Sequence, residues 1–279
     1  MATGPDECKR MLLPPRGRVA QWRTMTTTLA IANQKGGVAK TTTVASLGAA
    51  LTELGAAVLL VDLDPQACLT FSLGVDPEEI DESLHQVLVG KVAAADVIVS
   101  TDDGPDLLPS TIELAGAEGA LLMRPGREHS LRVALEPVVA DYDWILLDCP
   151  PSLGVLTVAA LSAANSVMIP LQCETLSHRG VGQLLDTIFD VRRFTNPALE
   201  VLGVLPTLYD PRPKHSRAVL DTIASTYDVA VLEPAIPRSI RFAEAPAAGR
   251  SILRIPRSAR GAGAYRELAA NLVGAAQPA

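Results

Sequence analysis

One stretch limits what this chain can become: Asn33-Gln34-Lys35-Gly36-Gly37-Val38-Ala39-Lys40-Thr41-Thr42-Thr43. An apolar run, Leu29-Ala30-Ile31-Ala32, precedes it, and Val44, Leu47, Leu51 and Leu54 follow at spacings of three and four. The pattern predicts a strand, a glycine turn and an amphipathic helix. Glycines let the backbone wrap tightly enough for successive N–H groups to point inward at an anion. The helix start adds its positive dipole end, Lys40 a mobile charge and Thr41 a hydroxyl suited to Mg²⁺. The common phosphate-loop pattern G-x-x-x-x-G-K-[ST] fails, because Gln34 and Ala39 stand at its two glycine positions. What the residues match is K-G-G-x-x-K-[ST], with a second lysine, Lys35, five residues before Lys40. Two lysines around one small loop are hard to account for as solvated surface.

A chain of 279 residues suits one large α/β domain. Hydrophobic residues make up 48% and aromatics only 4%, a balance that fits parallel strands buried under helices. Cys8, Cys68, Cys149 and Cys173 form no C-x-x-C pair, which points to a reducing compartment and away from a zinc or disulfide framework. No secretory signal is visible at the N-terminus. From Cys149 to Cys173 there is no charge, so by length the segment could span a membrane. Pro150-Pro151, Gly154, Asn165 and Pro170 instead divide it into a buried helix and a central strand.

Residues 1–25 are rich in Pro, Arg and Gly and show no periodicity. They read either as a disordered basic arm or, if Met25 is the true start, as untranslated sequence; the domain proper is 26–279. Strands are expected at Ala57–Val61, Leu107–Pro109, Trp144–Asp148, Val167–Pro170, Val201–Leu205 and Val229–Leu232. Helices are expected around Ser83–Val89, Leu114–Met123, Ser130–Val139, Gly180–Arg193, Ser216–Ala224 and Ala262–Val273. The alternation predicts a mostly parallel, twisted sheet with helices on both faces and ligands at the carboxyl ends of the strands.

Three strand ends carry chemistry: the lysine loop, Asp62-Leu63-Asp64-Pro65-Gln66 and Asp148. In a parallel sheet all three share one edge. Asp148, after four apolar residues, has the setting of a carboxylate that holds the water shell of a Mg²⁺ beside a nucleotide. Asp62 and Asp64 lie two apart, so on an extended strand both face one side. One suits the metal shell and the other a water. Cys149-Pro150-Pro151-Ser152-Leu153-Gly154, stiff and then flexible, suits a loop that senses a γ-phosphate.

These motifs resemble those of the ParA/Soj family of deviant phosphate-loop ATPases, within the group that also contains MinD and the nitrogenase iron protein. The likeness rests on Lys35–Thr43, Val61–Gln66, Asp148–Gly154 and Ile236–Pro246, in family order. Its closest form is the actinobacterial type. The resemblance implies a single P-loop NTPase domain that binds ATP and Mg²⁺ as a sandwich dimer. Lys35 would reach the partner's phosphates, Lys40 would hold the β- and γ-phosphates of its own subunit, and Asp64 would activate water. Gly36, Gly37, Val38, Ala39, Thr41 and Thr42 would line the nucleotide, with Pro237 and Arg238 near the adenine. Thr41 would ligate the metal, with Asp148 and Asp62 in its outer shell. Ala39 departs from the family's commoner glycine.

Net charge is −7, but residues 1–190 carry −12 and residues 191–279 carry +5. Arg212, Lys214, His215 and Arg217 cluster in a Pro-broken segment, Arg238 and Arg241 follow, and Arg250, Arg254, Arg257 and Arg260 continue the run. Family members bind DNA without sequence preference, so Arg212, Lys214, Arg217 and Arg241 are the candidate contacts. The expected partners are a second copy, DNA and a ParB/Spo0J-like centromere-binding protein, in a cytoplasmic, nucleoid-associated setting without stable membrane attachment. Competing readings are a MinD-like membrane regulator, a ParA-like ATPase that positions a protein cargo, an iron–sulfur electron carrier and a cobyrinate-type amidotransferase.

Overall fold

Every second residue along the central strands faces the same layer of the protein, and both layers are apolar. In β2 (Val58–Asp62), Leu59 and Val61 enter one core while Val58 and Leu60 enter the other. The same split separates Ala30 from Leu29 and Ile31 in β1 (Thr27–Ile31), and Ile145 and Leu147 from Trp144 and Leu146 in β5 (Trp144–Asp148). This period-two partition with both faces covered is what a parallel sheet requires.

The computed structural model describes residues 26–174, 177–212, 214–255 and 260–276, with backbone alone for 177–179, 214, 215 and 276. The arm 1–25 and Arg257 lie outside the described residues. The remaining strands are β3 (Val99–Ser100), β4 (Asp106–Leu108), β6 (Ser166–Gln172) and β7 (Glu200–Thr207). The seven pair in the order β3-β4-β2-β5-β1-β6-β7, all parallel except β3 against β4.

On one face lie α1 (Lys40–Glu53), α2 (Cys68–Ser72), and two C-terminal helices numbered below. On the other lie α3 (Leu84–Leu88), α4 (Ala94–Val97), α5 (Leu114–Leu122), α6 (Ser130–Leu135), α7 (Val155–Ala163), α8 (Ser177–Phe194) and α9 (Lys214–Tyr227). The C-terminal pair is α10 (Arg241–Ala247) and α11 (Arg260–Ala276). Gly48 sets how closely α1 sits on the sheet: a Cβ there would meet Leu60 Cδ2 at 2.6 Å.

Several expectations are corrected. Val229–Leu232 is not a strand; Val231 makes one isolated parallel bridge to Val204. Asp228 takes a left-handed φ of 52° just before it, and Pro234 lacks the N–H that would extend a ladder. The expected helix Ser130–Val139 stops at Leu135 because Pro137 breaks it, and a 3₁₀ turn follows at Val139–Asp141. The uncharged segment resolves into α7 and β6 as expected, but β6 is one strand from the edge rather than central. No helix among the described residues is long and apolar enough to cross a membrane.

Candidate active site

β1, β5 and β2 end side by side: Ile31 is in register with Asp148, and Asp148 with Asp62. The lysine loop leaves β1 at this edge and turns into α1. Gly37 has φ 74° and Ala39 φ 65°, and a Cβ built on Gly36 or Gly37 would have no atom within 4 Å. The loop therefore fronts open space at the positive end of a 14-residue helix. A left-handed backbone costs alanine roughly 1–2 kcal/mol. Glycine's greater freedom in the unfolded chain offsets about 0.4–1 kcal/mol of any relief. Ala39→Gly is thus expected to stabilise the chain by up to about 1 kcal/mol, seen as a higher melting temperature in calorimetry, whereas Ala39→Val lowers it.

Asn33 braces the loop: its Nδ2 donates to the Pro170 carbonyl at 2.7 Å and its Oδ1 accepts the Lys35 amide at 2.9 Å. Lys40 is 7% exposed and its Nζ donates to the Lys35 carbonyl at 3.2 Å. Burial lowers its pKa, and Asp148 is the largest opposing influence. Lys35 is half-exposed and forms an ion pair with Glu174 at the end of β6. Thr41 and Thr42, at the start of α1, are half-buried.

Asp148 is fully buried, and neither carboxylate oxygen receives a hydrogen bond of ordinary geometry. Burial above all, then repulsion from Asp62, holds its pKa well above the usual carboxylate range; the nearby Thr41 hydroxyl and Lys40 pull it down. A buried carboxylate with unused oxygens beside Thr41 is the donor set that a hydrated divalent cation fits.

Asp62 is equally buried but fully engaged. Its Oδ1 accepts the Asp64 amide at 3.1 Å, and its Oδ2 accepts the Thr70 amide at 2.9 Å and the Thr70 hydroxyl at 2.7 Å. Burial pushes its pKa up to about 6. Thr70 Oγ1 accepts the Ser110 amide at 3.0 Å, and Ser110 Oγ donates to the Asp64 carbonyl at 2.9 Å. Asp62 thus fixes the turn that displays the half-buried Asp64, whose Oδ1 accepts the Gln66 amide at 2.9 Å. The Cys149 thiol is buried and its pKa is raised by that burial, while Cys68 is exposed beside these carboxylates.

The end of β7 closes the other side of the loop. Thr207 Oγ1 donates to the Val38 carbonyl at 2.9 Å. Two residues on, Tyr209 bridges to Pro237, and the Arg238 amide donates to the Tyr209 carbonyl at 3.2 Å. Pro237 and Arg238 are thereby tied to the segment that leaves the phosphate loop's neighbour. Of the basic candidates, Arg212 pairs with Asp210 at 2.8 Å and Arg241 with Glu244 at 2.7 Å. Arg217 is exposed on α9, and of Lys214 only the backbone is described. Arg254 and Arg266 turn back onto Asp103 and Glu53, so part of the positive excess is spent inside the fold. Asn33, Thr70, Ser110, Glu174 and Thr207 were not singled out from the sequence, because no local spacing marks them.

Comparison with known proteins places this geometry. A family model described as an AAA domain matches residues 26–201. The sporulation initiation inhibitor protein Soj of Bacillus subtilis is 43% identical over 242 residues, covering 86% of this chain and 96% of Soj. The chromosome partitioning protein ParA of Caulobacter vibrioides is 42% identical over 248 residues, covering 88% and 93% respectively. Among solved structures, one of Mycobacterium smegmatis described as cobyrinic acid a,c-diamide synthase with bound ADP and magnesium superposes with TM-score 0.81. It is 57% identical and covers 89% of this chain and 94% of its own. By sequence, by sheet topology and by its lysine loop, this chain belongs to the ParA/Soj family of partitioning ATPases.

Proposed function

We propose that the chain hydrolyses Mg²⁺-ATP as a sandwich dimer that holds DNA without sequence preference and lets go on hydrolysis stimulated by a ParB/Spo0J-like partner. The observation that carries this reading is Lys40, on the loop that also carries Lys35, held beside the buried carboxylate of Asp148, whose oxygens lack a hydrogen bond of ordinary geometry. Mg²⁺, when bound, neutralises charge on the β- and γ-phosphates. The amides of residues 36–42 cradle phosphate oxygens, and Lys40 supplies a fixed positive charge in a water-poor site. Thr41 and Asp148 hold the metal, with Asp62 acting through the turn it braces. Asp64 orients and deprotonates the attacking water. Lys35, half-exposed at the rim, is free to reach a second copy once it leaves Glu174. Pro237 and Arg238 flank the base.

The DNA face is assigned to Arg212, Lys214, Arg217 and Arg241, which follow β7 in the chain on and around α9 and α10. Contacts of this kind give roughly 10⁻⁴–10⁻⁶ M binding per site, and dimerisation doubles the face. The test is retention on DNA. It is expected to need ATP and to persist without turnover in Asp64→Ala. Arg217→Ala is expected to weaken it on all sequences and flatten its salt dependence by about one unit of slope. Retention that ignores ATP would overturn the reading.

The setting proposed is cytoplasmic and nucleoid-associated. A membrane regulator would need an apolar face on the last helix, but Tyr265, Leu268 and Ala269 of α11 are buried in the core. The amidotransferase reading is separated by asking whether cobyrinic acid or DNA stimulates ATP turnover. A pull-down with the Asp64→Ala variant and ATP identifies whether the cargo is DNA or a protein assembly.

A further inference from the structure

Two hydroxyls far along the chain act on the backbone of the phosphate loop, one directly and one through the Thr43 side chain. Thr207, fully buried at the end of β7, donates to the Val38 carbonyl at 2.9 Å. Tyr265, fully buried on α11, lies 2.9 Å from Thr43 Oγ1, and Thr43 Oγ1 lies 2.7 Å from the Ala39 carbonyl. A carbonyl can only accept, so the single hydroxyl hydrogen of Thr43 goes to Ala39. Tyr265 must therefore be the donor to Thr43. Tyr265 also stands edge-on to Phe242, with ring centroids 6.1 Å apart, which fixes its ring without using its hydroxyl.

The peptide plane converts these bonds into a statement about the site. In a trans peptide the C=O of one residue and the N–H of the next point in opposite directions. Holding the Val38 carbonyl toward β7 turns the Ala39 N–H away from it. Holding the Ala39 carbonyl down the axis of α1 turns the Lys40 N–H out of the helix start. Ala39 sits at φ 65°, a conformation an alanine does not keep without outside support. The Thr43 amide, 3.0 Å from the Ala39 carbonyl, and the Thr43 hydroxyl hold that carbonyl; Thr207 adds support through Val38, and Tyr265 adds it by fixing the Thr43 hydroxyl.

Resting on the ATP-binding reading above, we propose that Thr207 and Tyr265 are positioning residues for the triphosphate: they aim the Ala39 and Lys40 amides at it. Both lie beyond residues 26–201, the part that the family model matches. The nucleotide loop is thus completed by the basic C-terminal third of the chain.

Calorimetric titration with Mg²⁺-ATP, with melting temperature recorded for each variant, tests this. Thr207→Val keeps the shape of the side chain and loses the donor; it is expected to weaken ATP binding about tenfold. Thr207→Ser, which keeps the donor, is expected to bind within about twofold of native. Tyr265→Phe, which keeps the ring, is expected to weaken binding as Thr207→Val does and gives an independent reading if that variant fails to fold. Native-like affinity in Tyr265→Phe, or in a folded Thr207→Val, overturns the proposal. So does a loss in Thr207→Ser equal to that in Thr207→Val, since packing would then be the cause. A native chain that does not bind Mg²⁺-ATP overturns the function reading itself.

Discussion

Lys40→Ala is expected to lower ATP turnover by at least about 10²-fold and to abolish ATP-dependent DNA retention. The side chain is almost out of water, and its Nζ is steered by the Lys35 carbonyl and by Asp148. A charge held in that way needs little reorganisation when negative charge develops on the transferring phosphoryl group. A surface lysine in the same sequence position would give far less. Single-turnover hydrolysis measured beside equilibrium ATP binding checks the claim. A variant that binds less ATP but, once saturated, hydrolyses it at the native rate would show that Lys40 acts in binding alone.

The second large effect concerns Asp148 and has opposite signs for stability and activity. In the folded chain Asp148 and Asp62 hold their protons more tightly than in the unfolded chain, chiefly because they are buried. Stability without nucleotide therefore falls as pH rises from about 4, the ordinary carboxylate value, through about 6, where Asp62 ionises, and beyond as Asp148 follows. Asp148→Asn removes the buried charge and keeps the shape. It is expected to stabilise the unliganded protein by about 1–3 kcal/mol at pH 8.5, and by progressively less as pH falls. Lys40 loses an attractive neighbour and offsets part of the gain. The same variant is expected to lose ATP turnover by about 10²-fold or more, as removal of a preorganised charge does. Urea unfolding at several pH values, beside an ATPase assay, tests both halves. An unchanged stability at high pH would mean that Asp148 is not carrying a buried charge there.

Much of this was legible in the sequence because phosphate-binding chemistry is local. Lys35, Gly37 and Lys40 lie within six residues of one another, and Asp62 and Asp148 each end an apolar strand. Parallel pairing then had to bring those ends to one edge. The division of labour between carboxylates was not legible. Asp62 and Asp64 look equivalent in sequence, and only Thr70 and Ser110, folded beside them, show that Asp62 braces while Asp64 is displayed. Charge counting met a similar limit. It registered the +5 balance of the last third, but Arg254 and Arg266 pair with Asp103 and Glu53, more than 140 residues away. The short α10 was hidden by Pro246 inside it, and β3 is too brief for any periodicity.

Under the proposed sandwich dimer, the contact between Lys35 and Glu174 bears on how often an encounter between two copies is productive. Both side chains are about half in water, at 41% and 51% exposure, so the pair is worth no more than about 1 kcal/mol. At that strength roughly one molecule in six has Lys35 released at any instant. In the proposed dimer both copies must release Lys35, so the catch slows productive encounters by up to about 40-fold.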